Sequence, residues 1–139
     1  MRTKYIRLQE KDLSFVKGIY DYYTLNTTTV YFLEPVSIAD LKTFMPVNDT
    51  VYHSYIVYTE DGEACGFCYF SRFKPREAYR ISVEITIYLH PDFTGRGYGQ
   101  EIISFLEDVI HQQGFTSIIA LIDSENQSSI KLFSKNGYV

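Results

Sequence analysis

The segment from Ile81 to Gly114 limits the possible folds more than any other part of the chain. It opens with ISVEITIYL, a β-branched and apolar run that predicts a strand over 81–89. Three glycines follow at 95, 97 and 99, and apolar residues then recur at spacings of three and four until Gly114. The sequence therefore predicts a strand, a glycine-rich loop and a helix in direct succession.

A glycine-rich loop at the start of a helix is suited to bind a phosphate. Backbone N–H groups point outward there, the helix dipole favours negative charge, and glycines let the anion approach closely. The spacing G-x-G-x-G differs from the G-x-G-x-x-G of dinucleotide-binding folds. No lysine followed by serine or threonine closes the loop, which also excludes a nucleoside-triphosphate P-loop. The prediction is a pyrophosphate site, and the alternative is a glycine-rich turn without a ligand.

Composition and charge narrow the class of protein. The chain has 139 residues, 45% of them hydrophobic, which fits one domain over 1–139 with a buried core. The formal net charge is -4 and the basic residues form no stripe, so nucleic acid is not expected as a partner. We find no signal-peptide pattern and no stretch of membrane-spanning length, which predicts a cytoplasmic protein that does not bind a membrane.

The two cysteines and three histidines do not form a pattern that is typical of a metal site. Cys65 and Cys68 are three residues apart in a predicted strand, which would place their side chains on opposite faces. No second cysteine pair or nearby histidine completes a set of four ligands. We therefore expect ordinary strand cysteines, no bound metal, and surface or structural roles for His53, His90 and His111.

The remaining segments predict an α/β fold. A short strand KYIRL and a helix over about 12–23 come first, and Ser37 and Asp40 fit a capping box that starts a second helix, IADLKTFM. Two strands joined by an Asp-Gly turn follow, and the chain closes with a strand SIIALID and a helix NQSSIKLFSK. The order βααβββαβα predicts a mixed sheet flanked by helices.

Two stretches give the chain a resemblance to a known family. They are the loop PDFTGRGYG and the closing DSENQSSIKLFSKNGY, and with the order of elements they resemble the GNAT superfamily of N-acetyltransferases. Three further stretches are most similar to the phosphinothricin N-acetyltransferase group: TTTVYF (27–32), PREAYRISVEITIYL (75–89) and QGFTSIIALI (113–122). The resemblance implies a mostly antiparallel central sheet, acetyl-CoA as cosubstrate, and a small-molecule amine as acceptor, such as phosphinothricin or methionine sulfoximine.

The resemblance also implies where acetyl-CoA binds. Backbone amides of the glycine loop would hold the pyrophosphate with added charge from Arg96, and the backbone near Leu89 would hydrogen-bond the pantetheine arm. Asn126 and Ser129 match positions that contact the cofactor arm, although Ser124 or Asn126 would also suit a helix cap. The implied cofactor-binding residues are Leu89, Gly95, Arg96, Gly97, Tyr98, Gly99, Asn126 and Ser129.

Glu84 is a charged residue in the middle of an apolar strand. Alternation places it on the same face as Thr86 and Tyr88. A carboxylate there is costly without a partner, and partial burial would raise its pKa, as a base that deprotonates an amine requires. We predict that Glu84 is the general base, and the alternative is an ion pair with Arg76 or Arg80.

The acceptor side of the site is implied by the same resemblance. Arg76 and Tyr79 match substrate-side positions, and the planar fork of an arginine suits the carboxylate of an amino-acid substrate. Phe32 would line the same cleft. A surface arginine without a ligand is the alternative for Arg76.

Two departures from the family pattern leave other functions open. Phe133 stands where many members carry a tyrosine or histidine that reprotonates the leaving thiolate, and phenylalanine cannot donate a proton. Family members usually continue for two strands beyond GY, so we expect a sheet without these strands and SIIALID as an edge strand. Either a second copy covers this edge, which predicts a homodimer, or the chain is an inactive relative. The alternative functions are acetylation of a protein N-terminus or lysine, and a coenzyme-A-binding module without catalysis.

Overall fold

The computed structural model describes residues 3–26, 37–47, 49, 51–72, 82–93, 97–115 and 117–120. Their strands are β1 (Thr3–Arg7), β2 (Ser54–Thr59), β3 (Ala64–Arg72), β4 (Ser82–Leu89) and β5 (Ser117–Ala120). Their α-helices are α1 (Leu13–Asn26), α2 (Ile38–Phe44) and α3 (Tyr98–Gln112). The predicted order of elements is confirmed from β1 to β5, and the predicted last helix lies outside the described residues.

The strands form one mixed sheet in the order β1-β2-β3-β4-β5. All neighbours are antiparallel except β4 and β5, which are parallel and are connected through α3. This connection is expected, because parallel neighbours need a long crossover. The hairpin between β2 and β3 closes where Thr59 N donates to Glu63 O at 2.8 Å, as the Asp61-Gly62 turn predicts. The mixed, mostly antiparallel sheet flanked by helices is therefore confirmed.

The two faces of the sheet pack against different helices. On the α3 face, strand residues such as Val57 and Val83 pack with Leu106 and Ile110 of α3. On the α1/α2 face, the buried cluster contains Leu8, Leu13, Val16, Ile19, Tyr20, Leu41, Met45, Ile56, Phe67 and Tyr69. Because successive strand residues point to opposite faces, β4 contributes Val83 and Ile85 to the α3 face and directs its alternate residues to the other face.

A β-bulge in β3 determines which face Cys65 occupies. Val57 pairs with Gly66 and Tyr58 with Ala64, so Cys65 is the extra residue of β3. The bulge shifts the alternation by one, and Cys65 and Cys68 are both buried in the cluster on the α3 face. The prediction that their side chains lie on opposite faces is wrong. Burial raises the pKa of the Cys65 thiol to about 11, which suits an unreactive core residue.

The helix boundaries follow local sequence signals. At the start of α2, Ser37 Oγ accepts from Asp40 N at 3.0 Å and Asp40 Oδ2 accepts from Ser37 N at 3.2 Å, so the predicted capping box is confirmed. Gly114, with φ +91°, follows the end of α3, and its N–H donates to His111 O at 3.0 Å. None of the helices in the described residues combines the length and apolar character needed to cross a membrane.

The structural role expected for His53 is also confirmed. It is buried, and its Nδ1 lies 2.8 Å from the Tyr55 hydroxyl. His111 is exposed on α3, as expected for a surface histidine.

Candidate active site

A cleft of about 510 Å³ opens on the α1/α2 face of the sheet, between β3, β4 and the chain that follows α2. One wall is apolar and comes from Met45 and Pro46, and the floor is polar and comes from the two strands. The described lining residues are Thr43, Met45, Pro46, Tyr52, Tyr69, Ser71, Glu84 and Thr86. Glu84 is the charged residue among them, so these residues together suit a cationic or polar guest.

Glu84 lies half-buried in β4 and faces this cleft. It is opposite Ser71 in the register with β3, on the face that alternation predicted. Burial raises the pKa of the Glu84 carboxyl, and within the described residues no cation offsets this effect. Arg76 and Arg80, the alternative partners, lie outside the described residues. A carboxylate with a raised pKa beside a cleft is well suited to accept a proton from an amine.

Two buried tyrosines, joined by a hydrogen bond, and a threonine lie beside Glu84. Tyr69 of β3 lies opposite Thr86 of β4, and its hydroxyl is 3.3 Å from the hydroxyl of Tyr20 on α1. Burial raises the pKa of Tyr69, while the neighbouring Tyr20 and Thr86 hydroxyls act in the opposite direction. In the bond between Tyr20 and Tyr69 either hydroxyl can be the donor.

The negative charge of Glu84 acts on both of these tyrosines. Burial is the main cause of the raised pKa of Tyr20, and Glu84 contributes to the raised pKa of Tyr20 and of Tyr69. Both phenols therefore stay protonated at neutral pH. Sequence reasoning assigned no role to either tyrosine, because each looks like a core residue on the apolar side of its element. The sequence did show that Thr86, which pairs with Tyr69 across the strands, shares a face with Glu84.

The start of α3 depends on a glycine. Gly97 is the N-cap with φ +83° and ψ +4°, a left-handed conformation that strains any residue with a Cβ. Tyr98 begins the helix and Gly99 is buried in its first turn. Gly97 has no side chain to cap the helix, and the uncapped N–H groups of a helix N-terminus suit an anion.

Leu89 ends β4 at its carboxyl end, on the same strand as Glu84. It pairs with Gly66 of β3, and the next residue, His90, donates from its N–H to Cys65 O at 2.7 Å. Leu89 lies about 17 Å along the strand from Glu84, at about 3.3 Å per residue. β4 therefore leads from the cleft towards the glycine loop and α3.

Gly66 is a structural residue that the sequence analysis missed. A Cβ built on it would lie 2.4 Å from the Tyr88 carbonyl oxygen and 3.1 Å from Leu89 Cα. The close approach of β3 to the end of β4 therefore requires glycine. The available signal was a glycine within a strand, which often marks such an approach.

The other predicted site residues lie outside the described residues, and their roles stay predictions. They are Phe32, Arg76, Tyr79, Gly95, Arg96, Asn126 and Ser129, together with Phe133. The described structure thus places Glu84 in the cleft, Leu89 at the end of β4, and Gly97, Tyr98 and Gly99 at the start of α3.

Comparison with known proteins places this geometry in a family. Two curated relatives are the L-amino acid N-acyltransferase MnaT of Escherichia coli (strain K12) and an L-methionine sulfoximine/L-methionine sulfone acetyltransferase of Salmonella typhimurium. The first is 27% identical over 135 residues, which cover 96% of this chain and 78% of that protein. The second is 26% identical over 134 residues, with the same two coverages of 96% and 78%.

A solved structure supports the same grouping. The GNAT superfamily phosphinothricin acetyltransferase from Sinorhizobium meliloti, crystallised in complex with AcCoA, is 31% identical to this chain and superposes with a TM-score of 0.85. The match covers 99% of this chain and 75% of that one. The model of the acetyltransferase (GNAT) family matches residues 17–138. The resemblance seen in the sequence is confirmed, and the chain belongs to the acetyltransferase (GNAT) family.

Proposed function

We propose that the chain is an N-acetyltransferase that transfers the acetyl group of acetyl-CoA to the amine of an amino acid or a small amino-acid analogue. The observation that carries this proposal is Glu84, a half-buried carboxylate with a raised pKa in the wall of a cleft. The relatives named for L-amino acids, methionine sulfoximine and phosphinothricin support the acceptor class.

In the proposed reaction Glu84 removes a proton from the ammonium group of the acceptor. The freed nitrogen bonds to the acetyl carbon and gives up a second proton to water, the carbon–sulfur bond of the thioester breaks, and coenzyme A leaves as its thiolate. The raised pKa makes Glu84 a stronger base than an exposed carboxylate, which favours the first step. Phe133 supplies no proton to the thiolate, but a thiol has a pKa of about 8.5, so its thiolate is a tolerable leaving group and takes a proton from solvent.

Acetyl-CoA is proposed to lie along β4 and the start of α3. The backbone of Leu89 would bond the pantetheine arm, and the amides from Gly95 to Gly99 would bind the pyrophosphate with Arg96. The left-handed Gly97 at the N-cap, without a side chain over the helix terminus, supports this assignment. Asn126 and Ser129 would complete the contacts with the cofactor arm.

The acceptor is proposed to enter the cleft from the side of α2. Its amine would lie at Glu84, and its carboxylate would pair with Arg76, with Phe32 and Tyr79 lining the rest of the pocket. None of the described lining residues is a cation, which is why a carboxylate of the acceptor would need this arginine.

We also propose a homodimer. Among the described strands, β5 pairs with β4 on one side and has no strand on the other. An apolar strand at such an edge favours pairing with another chain. Light scattering would check the mass of the particle, and a mass of one chain at micromolar concentration would contradict the dimer.

Thiol release from acetyl-CoA across a panel of acceptors tests the proposed function. The panel contains L-amino acids, methionine sulfoximine, phosphinothricin and short peptides. We expect release with one or more of the amino acids or analogues, and a loss of about 10²- to 10⁴-fold in Glu84→Gln. Glu60→Gln, which changes an exposed carboxylate in the hairpin turn, is the matched control and should keep full activity.

Two results would contradict the proposal. Release with peptides alone would replace the acceptor class. Binding of acetyl-CoA by calorimetry without release for any acceptor would identify a coenzyme-A-binding module instead of an enzyme.

A further inference from the structure

We propose that Ser71 binds the acceptor amine together with Glu84, so that the nitrogen is held between two neighbouring strands. The inference rests on the proposed function, because it assigns a second protein contact to the amine that Glu84 deprotonates. It makes Ser71 an acceptor-binding residue of β3, a position to which the sequence analysis assigned no role.

The register of the sheet places Ser71 beside Glu84. The two residues are Cα partners in the antiparallel pair of β3 and β4, and both line the cleft. Side chains directly opposite each other on one face have their Cβ atoms about 4.5–5.5 Å apart. Thr86, the next residue of β4 on this face, is about 7 Å along the strand from Glu84. A nitrogen that lies about 3 Å from a carboxylate oxygen of Glu84 can therefore also lie about 3 Å from Ser71 Oγ.

The hydroxyls that line the cleft differ in the hydrogen bonds that they already make. Thr43 Oγ1 donates to a backbone carbonyl oxygen of its own helix at 2.6 Å, and the Tyr69 hydroxyl lies 3.3 Å from that of Tyr20. Within the described part of the chain, the half-buried Ser71 hydroxyl has no hydrogen bond. A half-buried hydroxyl gains from a ligand that supplies the missing partner.

Two contacts from adjacent strands suit a primary ammonium group. Of its three N–H bonds, one gives its proton to Glu84, and a second donates to Ser71 Oγ. The bond to Ser71 remains after the proton transfer, and it restricts rotation of the amine while the new lone pair points at the acetyl carbon. Since a serine hydroxyl rotates to suit its partner, the contact requires no fixed position of the hydroxyl hydrogen.

Removal of the Ser71 hydroxyl tests this contact. In Ser71→Ala, kcat/KM for the amine should fall by about 10- to 100-fold, as for a lost hydrogen bond to a charged group. The loss should appear mainly as a higher KM for the amine, because the contact is made before and during the transfer, and the KM for acetyl-CoA should not change. Ser104→Ala is the control: it changes another half-buried serine, on α3 and away from the lining of the cleft, and should keep the wild-type constants.

Ser71→Thr and Ser71→Val form a matched pair. Both side chains are β-branched and similar in shape, and only the threonine has a hydroxyl. The threonine variant should stay within about threefold of the wild type, whereas the valine variant should lose as much activity as Ser71→Ala.

A pH profile separates binding of the amine from an effect of Ser71 on the base. A Ser71 hydroxyl that donated to the Glu84 carboxylate would lower the pKa of Glu84, and Ser71→Ala would then move the acidic limb of kcat/KM to higher pH. A hydroxyl that accepts from the amine leaves this limb in place and changes the KM for the amine. We expect the second result, and a shifted limb with an unchanged KM for the amine would refute the inference.

The possible failures can be told apart. If the wild type releases thiol and Ser71→Ala stays within about twofold of it, the inference is wrong and the proposed function stands. A Ser71→Val enzyme as active as the wild type would refute the inference as well. If Ser71→Val does not fold, Ser71→Ala and Ser71→Thr still decide the contact with the amine. If the wild type releases no thiol with any amine, the proposed function fails and this inference fails with it.

Discussion

Gly66→Ala should destabilise the protein because β3 and β4 approach each other most closely at this residue. The added Cβ would lie 2.4 Å from the Tyr88 carbonyl oxygen, 3.1 Å from Leu89 Cα and 3.2 Å from Leu89 Cδ2. The first two contacts are with backbone atoms, which cannot move aside as a flexible side chain can. The substitution must therefore displace one of the two strands.

The size of the effect follows from these distances. An ordinary contact of about 3.5 Å requires a movement of about 1 Å, and overpacking of this kind costs about 1–3 kcal/mol. For a chain of 139 residues the unfolding entropy converts each kcal/mol into about 3 °C. We expect the Tm to fall by about 3–10 °C.

Gly18→Ala is the matched control on α1. No heavy atom lies within 4 Å of a Cβ built on Gly18, and alanine is favoured over glycine within a helix by about 0.5–1 kcal/mol. Calorimetric melting should therefore show a rise in Tm of about 2–3 °C for this variant and a fall for Gly66→Ala. A Gly66→Ala protein that melts at the wild-type temperature or above would refute the close packing of β3 on β4.

Two further predictions concern the site. Gly97→Asp should abolish acetyl-CoA binding in calorimetry, since it places a negative side chain at the start of α3. The control is Gly97→Ala, which has the same backbone strain at φ +83° without the charge. An equal loss of binding in both variants would show that charge is not the cause. Glu84→Gln should raise the Tm at pH 7 while turnover falls. The folded-state pKa of Glu84 lies above its ordinary value of 4.5, so its contribution to stability decreases as the pH rises between the two values. The gain in Tm should therefore shrink towards pH 4, and a gain independent of pH would contradict burial as its cause.

Local patterns in the sequence predict much of the fold. The run from Ile81 to Gly114 contains the strand, the glycine loop and the helix in one piece, because β-branched residues, glycines and a 3.6-residue apolar period each act over short range. The Ser37 capping box was predictable for the same reason, since its hydrogen bonds join residues three apart. Glu84 was identifiable as a candidate base because a charge in an apolar strand is costly wherever the strand packs.

Tertiary structure decided the surroundings of that base. The hydroxyls of Tyr20 and Tyr69 come from residues 49 apart in sequence, and nothing local to either residue shows that they meet. Likewise, the face of Cys65 depends on a bulge in its pairing with β2, and the need for glycine at position 66 depends on the path of β4. Periodicity determines which side of an element is buried, whereas the partner that a side chain contacts there is set by long-range packing between elements.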